Sequence, residues 1–139
     1  MYTDGASRSN PGHSASGFMI YEDDKLLHKH FEYNGVSTNN YSEYKAVLLA
    51  FMWCLGLKDS DMLHIKLYSD NELVIRQLSG KYKMKSEALK PLNSEIAALM
   101  DRFKHVELMN VRRENAYISA VDRALNELLD KRLKNSKKI

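Results

Sequence analysis

Four acidic residues occupy positions from which their carboxylates could converge on one site. Asp4 ends a first predicted strand, directly before a stretch rich in glycine and serine, and Asp70 ends the predicted strand over 63–69. Sites in open α/β sheets form outside the carboxyl ends of the strands, so these two acids could meet. Glu43 lies in the first turn of a predicted helix and Asp122 lies in the last one. Oxygen ligands from four elements suit a hard cation such as Mg²⁺ or Mn²⁺.

Each acid also has an ordinary structural explanation. Asp4 could form a turn, and Asp70 could cap the helix that follows it. Glu43 could interact with the positive end of its helix dipole, and Asp122 could be a solvated helix residue. The spacing of the acids alone therefore leaves open both a metal site and four unrelated acids.

Hydrophobic periodicity predicts the elements that would position these acids. The pattern gives the order β-β-β-α-β-α-α-β-α, which implies a mixed sheet with helices packed on it. Two segments rich in glycine, serine and asparagine, 4–17 and 34–40, are predicted to be loops. The strands are predicted at 2–3, 17–21, 26–33, 63–69 and 105–111. Apolar residues at helical spacing predict helices whose buried positions run over 44–55, 73–78, 92–103 and 121–129.

Length and composition limit the classes of protein that fit. The chain has 139 residues, of which 44% are hydrophobic and 28% charged, and this suits one soluble globular domain. The single cysteine, Cys54, excludes an internal disulfide and favours a reducing compartment, so we expect a cytoplasmic protein. The sequence contains no apolar run of the roughly 18 residues that a membrane span needs, and its start does not resemble a signal peptide.

The net charge of +3 is unevenly distributed along the chain. The last nine residues hold five of the 21 lysines and arginines and none of the 18 acids, which leaves residues 1–130 with a net charge of −2. We therefore predict a domain over 1–130 followed by a basic tail over 131–139. If cations neutralised the four candidate acids, residues 1–130 would carry +2, which is compatible with a nucleic-acid partner.

Four segments of the chain carry a more specific signal than the acids alone. An Asp-Gly pair is followed by Asn-Pro-Gly, two asparagines precede Glu43, and a Ser-Asp pair ends the strand at Asp70. In these segments the sequence resembles type 1 ribonuclease H, including its bacterial and archaeal reverse-transcriptase-like branch. The matching segments, in the family's order, are YTDGASRSNPG (2–12), STNNYSEYKAVLLA (37–50), LYSDNELVIRQLSGKYKMKSEALKPL (67–92) and VDRALNELLD (121–130).

The resemblance implies an α/β, ribonuclease-H-like fold, in which a five-stranded mixed sheet begins with antiparallel hairpins and continues with parallel strands. It also implies hydrolysis of the RNA strand of RNA/DNA hybrids to 3′-hydroxyl and 5′-phosphate ends. Asp4, Glu43, Asp70 and Asp122 would then be the metal-binding and catalytic carboxylates. Two Mg²⁺ ions, with Mn²⁺ as a possible substitute, would flank the scissile phosphate about 3.5–4 Å apart, activating a water and stabilising the leaving 3′-oxygen.

The same resemblance implies which residues contact the hybrid. Asparagine side chains can both donate and accept hydrogen bonds, which suits the 2′-hydroxyl and the base edges of the minor groove. Asparagines are also common turn residues, and a lysine-rich segment is equally compatible with a solvated loop. The implied contacts are Gly5, Ser7, Asn10, Asn39 and Asn40 in the minor groove, Thr38 on a DNA phosphate, and Lys81, Lys83 and Lys85 along the DNA strand.

Four features differ from the family pattern. Only three residues precede Asp4, which predicts a short first strand in the centre of the sheet. Glu72 stands where the family commonly has a neutral residue, and the stretch that leads to Asp122 is longer than usual. That stretch has no histidine where many members place one, and Arg112 or Arg113 could supply an electrostatic substitute.

The sequence also leaves two other functions open. One is a catalytically silent ribonuclease-H-like module that binds nucleic acid or a protein, although all four acids are present. The other is a related nuclease or transposase-type enzyme, although such enzymes lack the motif of residues 4–12. We expect an RNA/DNA hybrid as the partner, no membrane or organic cofactor, and a monomer rather than a dimer.

Overall fold

The computed structural model describes residues 1–136 and is built on one five-stranded sheet. Its strands are β1 (Tyr2–Ser7), β2 (Gly12–Glu22), β3 (Lys25–Ser37), β4 (His64–Ser69) and β5 (His105–Asn110). They lie in the order β3-β2-β1-β4-β5, so β1 is central. β2 runs antiparallel to β1 and β3, whereas β4 runs parallel to β1 and β5. The mixed sheet that the sequence predicts is therefore confirmed.

Helices cover both faces of this sheet. They are α1 (Asn39–Leu55), α2 (Glu72–Leu78), α3 (Lys90–Met100) and α4 (Ala116–Ser136), and a short 3₁₀ turn covers Ser60–Met62. Successive residues of a strand point to opposite faces. Phe18 and Ile20 of β2 therefore pack in the core under α1, whereas Met19 packs in the core formed by α4. The predicted order of strands and helices is confirmed, with α1 and α4 on opposite sides.

The prediction that residues 4–17 form a loop is wrong. Residues 4–7 continue β1, residues 12–17 begin β2, and the two segments pair with each other. Glycine serves close packing here rather than a turn, because a Cβ on Gly5 would lie 2.6 Å from the backbone nitrogen of Glu43. Glycine is common where two backbones approach closely, and it is also common in turns. A glycine in the sequence therefore does not show which of the two roles it has.

The first strand is also longer than predicted from the three residues that precede Asp4. β1 continues to Ser7 and pairs along its whole length with β2, so Asp4 lies within a strand rather than at its end. In the second predicted loop, 34–40, the first four residues belong to β3. Helix α1 then begins at Asn39, so the last two residues of the predicted loop belong to the helix, because a cap at Thr38 sets its first turn.

The last helix continues past the predicted domain boundary at residue 130. Residues 131–136 extend α4, so the basic residues of this segment lie on a helix whose buried side chains, among them Leu129, pack on the sheet. The rest of the predicted basic tail, 137–139, lies outside the described residues. Within residues 1–136, no helix has the length and apolar character that a membrane crossing requires.

Replacing Gly5 with alanine should destabilise the fold. The new methyl group would lie 2.6 Å from backbone atoms of Ser42 and Glu43, which cannot yield without a shift of α1. We expect a loss of about 1–3 kcal/mol in the free energy of unfolding, the usual cost of overpacking, measured by urea denaturation. Gly56→Ala is the matched control, because Gly56 has helical backbone angles and its new methyl would lie 3.4 Å from the Trp53 carbonyl. Equal stability of the two variants would contradict the close-packing role.

Candidate active site

The parallel pairing of β1 and β4 brings Asp4 and Asp70 to the same level of the sheet. Tyr2 lies opposite Tyr68, so the residues two positions further along become neighbours. β4 ends at Ser69, which leaves Asp70 just beyond its strand and beside the continuing β1. The two acids therefore meet as predicted, although only Asp70 follows the end of a strand.

Glu43 joins them from the first turns of α1. Thr38 caps this helix, since its Oγ1 accepts a hydrogen bond from the backbone nitrogen of Tyr41 at 3.1 Å. One carboxylate oxygen each of Asp4, Glu43 and Asp70 lies within 4.8 Å of the other two. Asp4 is only 4% exposed and Glu43 only 8%, so two members of this group are buried.

Asp122 faces the same site from α4. The site is an open cleft of about 200 Å³, and Asp122, Asn126 and Arg113 line it together with the three clustered acids. The side chain of Asn115 accepts hydrogen bonds from backbone nitrogens of the first turn, so α4 begins at Ala116. The lengthened stretch before Asp122 is therefore half helix, and it carries this acid to the cleft wall.

The buried acids cannot all carry a negative charge without a counterion. Burial raises the pKa of Asp4 to about 7, with the neighbouring Asp70 carboxylate adding to the effect. Burial also raises the pKa of Glu43 well above its usual range, and the Asp4 charge is the second cause. Since like charges repel strongly in a desolvated site, Glu43 favours its protonated form and Asp4 is about half protonated near pH 7 unless a cation replaces the proton.

Asp70 is less buried and lies beside a basic side chain. Burial raises the pKa of Asp70, and the guanidinium of Arg113 opposes that effect. Arg113 is the one basic residue among the described residues that line the cleft, so the site is short of positive charge. Clustered carboxylate oxygens are the ligands that Mg²⁺ and Mn²⁺ prefer. The donor set therefore fits divalent cations, which the clustered acids could hold with Asp122 nearby.

Four of the five residues that the resemblance assigns to the minor groove line the cleft or contact its lining, and Asn40 lies outside that described lining. Gly5, Ser7 and Asn39 line the cleft directly. Asn10 adjoins them, because its Oδ1 accepts a hydrogen bond from the backbone nitrogen of Asn39 at 3.1 Å. Asn40 is the half-buried second residue of α1. The fold thus brings the two asparagine segments together beside the acids.

The predicted basic contacts are divided between the cleft and a separate surface. Arg113 lines the cleft, whereas Arg112 is exposed and lies outside its described lining. Lys81, Lys83 and Lys85 are exposed in the segment between α2 and α3. Only one of the two arginines is therefore in direct reach of the acids.

Glu72, the acid that departs from the family pattern, is paired away from the clustered acids. Its carboxylate lies 2.6 Å from Nε of Arg76, one helical turn further along α2. Both residues line a second groove together with Lys81, and Glu72 lies outside the described lining of the cleft. Its negative charge is therefore compensated locally.

Sequence reasoning does not identify Asn126 and Ala6, which also line the cleft. Asn126 lies one helical turn after Asp122, and its side-chain nitrogen donates to the Asp122 carbonyl oxygen at 2.9 Å. The i,i+4 spacing on a predicted helix is the signal that could have identified it. Ala6 carries no comparable signal, because a small strand residue is equally typical of a core.

Comparisons with known proteins add an independent finding. The model of a family described as reverse transcriptase-like matches residues 2–121. The chain is 31% identical over 133 residues to a bifunctional protein of Mycobacterium tuberculosis, an alignment that covers 91% of this chain and 34% of that protein. It is also 31% identical over 130 residues to ribonuclease HI of Halobacterium salinarum, covering 93% of this chain and 63% of that protein. The chain thus spans about a third of the first relative and under two thirds of the second.

A solved structure is similar over nearly the full length of both chains. It is that of LC11-RNase H1, a protein isolated from compost, in complex with an RNA/DNA hybrid. The TM-score is 0.84 and the sequence identity 32%, and the match covers 95% of this chain and 96% of that chain.

Replacing Asp4 with asparagine should make stability less dependent on pH when metal ions are chelated. A carboxyl whose pKa folding raises stabilises the folded state at low pH, and this contribution is lost as the pH rises through about 7. In EDTA we expect wild-type protein to lose stability between about pH 5 and 8.5. At the higher pH, Asp4→Asn should be more stable than wild type by about 1–3 kcal/mol, since one pKa unit corresponds to about 1.4 kcal/mol.

Urea denaturation at both pH values measures this difference. Glu127→Gln is the matched control, because it removes one exposed carboxylate from α4, and it should keep the wild-type pH dependence. If Asp4→Asn and wild type lost equal stability between the two pH values, the raised pKa of Asp4 would be contradicted.

Proposed function

The chain belongs to the reverse-transcriptase-like branch of the type 1 ribonuclease H family, and on this premise we propose that it is an endoribonuclease that hydrolyses the RNA strand of RNA/DNA hybrids. The observation that carries the proposal is the convergence of Asp4, Glu43 and Asp70 in a cleft that Asn39 lines and to which a hydrogen bond from Asn39 ties Asn10. The hybrid-bound structure of LC11-RNase H1 supports it, since the two chains are similar over nearly their full length. The products would be 3′-hydroxyl and 5′-phosphate ends.

Two Mg²⁺ ions, with Mn²⁺ as a substitute, are the cofactors that the acids favour. Asp4, Glu43 and Asp70 would hold them, with Asp122 as a fourth carboxylate. Bound divalent cations lower the pKa of an attacking water and neutralise the charge that develops on the leaving 3′-oxygen. Because the pKa values of Asp4 and Glu43 are raised, these side chains lose protons when they become ligands near neutral pH.

Arg113 is the residue that we assign to the phosphate. It lines the cleft, and its guanidinium lies close enough to Asp70 to oppose the rise in the pKa of that carboxyl. A permanently charged planar donor at this point can bind a non-bridging phosphate oxygen. Arg113, rather than Arg112, would therefore supply the electrostatic role for which many family members use a histidine.

Asn10 and Thr38 keep hydrogen-bonding capacity for the hybrid. Asn10 uses Oδ1 to accept from the Asn39 backbone, and its amide nitrogen can still donate to a 2′-hydroxyl or a base edge. Thr38 uses Oγ1 to accept from Tyr41, and its hydroxyl proton can still donate to a phosphate of the DNA strand. Asn10 would thereby help to select a strand with 2′-hydroxyls beside the acids, whereas Thr38 would hold the DNA strand.

We further propose that the protein acts as a monomer in the cytoplasm. Cys54 is a buried, free cysteine, which suits a reducing compartment. The central strand β1 pairs with β2 along its full length, so this edge of β1 is not open to a strand of a second copy.

Cleavage of a labelled RNA/DNA hybrid tests the proposed function. In Mg²⁺ or Mn²⁺ we expect internal cuts in the RNA strand of the hybrid, with double-stranded RNA and double-stranded DNA left intact. Asp70→Asn should lower the rate by about 100-fold or more, the usual cost of losing one charge-stabilising group from an active site. Glu72→Gln is the matched control, because Glu72 pairs with Arg76 outside the described lining of the cleft.

Two other results would change the proposal. Binding of the hybrid without cleavage, unchanged in Asp70→Asn, would support a catalytically silent binding module instead. Isothermal titration checks the cofactor separately, and a failure to bind Mg²⁺ or Mn²⁺ at millimolar concentration would contradict the metal site.

Replacing Lys81, Lys83 and Lys85 together with glutamine should weaken hybrid binding. With fewer phosphate contacts, binding of the hybrid releases fewer counterions. The slope of log affinity against log salt should therefore flatten by up to about 2–3. Binding titrations between 50 and 200 mM salt, with EDTA present, measure the slope. A matched triple variant removes three other exposed lysines, Lys29, Lys58 and Lys104, and should keep more of the wild-type slope. Equal slopes in both variants would assign the 81–85 segment to a solvated loop.

A further inference from the structure

Arg8 makes a long-range contact that the proposed chemistry does not use. It begins the turn of residues 8–11, which joins β1 to β2 and contains Asn10. Its Nη2 donates to the Asn126 carbonyl oxygen at 2.9 Å and lies 2.6 Å from Oδ1 of Asp130. Arg8 therefore fastens the turn of residues 8–11 to α4.

The point of attachment on α4 belongs to the segment that presents Asp122. Asp122, Asn126 and Asp130 follow one another at intervals of four residues, so they lie along one face of the helix. The Asn126 side chain donates to the Asp122 carbonyl, and both residues line the cleft. Arg8 thus holds the two helical turns that directly follow the cleft acid.

The same turn is also fastened on its other side. Asn10 accepts a hydrogen bond from the backbone nitrogen of Asn39, at the start of the helix that carries Glu43. Within the turn, the Arg8 backbone nitrogen donates to the His13 carbonyl at 2.9 Å. The turn of residues 8–11 therefore bridges α1 and α4 across the mouth of the cleft, and Arg8 makes its link to α4.

The contact of Arg8 with α4 affects the position of the turn of residues 8–11 more than the overall stability of the fold. The Arg8 and Asp130 side chains are 33% and 70% exposed, and exposed ion pairs contribute little to the free energy of unfolding. Helix α4 is fixed to the sheet independently, through the fully buried side chains of Val121, Leu125 and Leu129. Loss of the Arg8 contact would therefore free the turn while α4 stays folded.

We propose that Arg8 is a positioning residue, which sets the turn of residues 8–11 against the Asp122 helix so that Ser7 and Asn10 meet the hybrid in register with the acids. The inference rests on the proposed function for its kinetic consequence. Arg8 lies outside the described lining of the cleft, so it acts through the residues that it fixes.

Kinetics of Arg8 and Asp130 variants on a hybrid test this role. Arg8→Ala should raise KM about three- to tenfold, the range expected for one lost hydrogen bond, with a smaller fall in kcat. Asp130→Ala should change KM in the same direction, and the double variant should be no worse than Arg8→Ala. Arg8→Lys, which keeps a cationic donor, should recover part of the loss. If Arg8 instead touched a phosphate directly, Asp130→Ala would release it and leave KM unchanged or lower.

Arg132→Ala is the matched control from the same end of α4. The Arg132 guanidinium lies 4.2 Å from the centre of the Tyr33 ring, so it links the helix to β3 without touching the turn of residues 8–11. We expect its KM and kcat to equal those of wild type. If Arg132→Ala impaired cleavage as much as Arg8→Ala, general loosening of α4 would explain the effect, and the assigned role would be wrong.

Hydrogen exchange of the free protein provides a readout that needs neither metal nor cleavage. Arg8→Ala and Asp130→Ala should speed exchange at the backbone amides of positions 8 and 39, while the melting temperature stays within a few degrees of wild type. Unchanged exchange at these amides would overturn the positioning role even if the protein cleaves no hybrid. If the variants show the expected exchange changes but the wild-type protein cleaves no hybrid, only the proposed function would be contradicted.

Discussion

Carboxylates that share a buried site repel one another, and every element around Asp4, Glu43 and Asp70 contributes to how closely these three are held. The parallel register of β1 and β4 fixes two of them, and the missing side chain at Gly5 lets α1 bring the third. Burial adds to the repulsion, which is why the pKa values of Asp4 and Glu43 are raised. The packing that builds the centre of the fold therefore also creates the demand for cations.

The acids and the order of elements could be predicted because both depend on short, contiguous patterns in the sequence. Apolar periodicity reports which side of a strand or helix is buried, and the motif from Asp4 to Gly12 is contiguous. The boundaries were wrong where glycine and serine are abundant. These residue types suit a turn as well as a strand against which another backbone packs, and only the tertiary neighbour of Gly5 decides between the two.

Other parts of the site depend on contacts that no local pattern contains. Arg112 and Arg113 are adjacent and chemically identical, and only the course of the chain before α4 directs one of them to the acids. From the sequence, Glu72 places a negative charge where the family commonly has a neutral residue. In the structure, Arg76 on the same helix pairs with it. Arg8 meets a helix 118 residues later in the chain, so its role emerges only once the sheet has brought those segments together.

Burial divides the four acids into two pairs with different consequences for the proposed reaction. Asp4 and Glu43 lie deepest, where an uncompensated charge is most costly, so in the proposed reaction they would set the affinity for cations and its pH dependence. Asp70 and Asp122 are half-buried on the cleft walls, closer to the side from which a phosphate would approach. In the proposed reaction a hybrid would add negative charge to a site that already has an excess of acids, so bound cations should strengthen its binding. By reciprocity, the hybrid must then strengthen the binding of those cations by the same factor. Through the cations that it would bind, the deep pair of acids would therefore control how tightly the RNA strand is held in the proposed reaction.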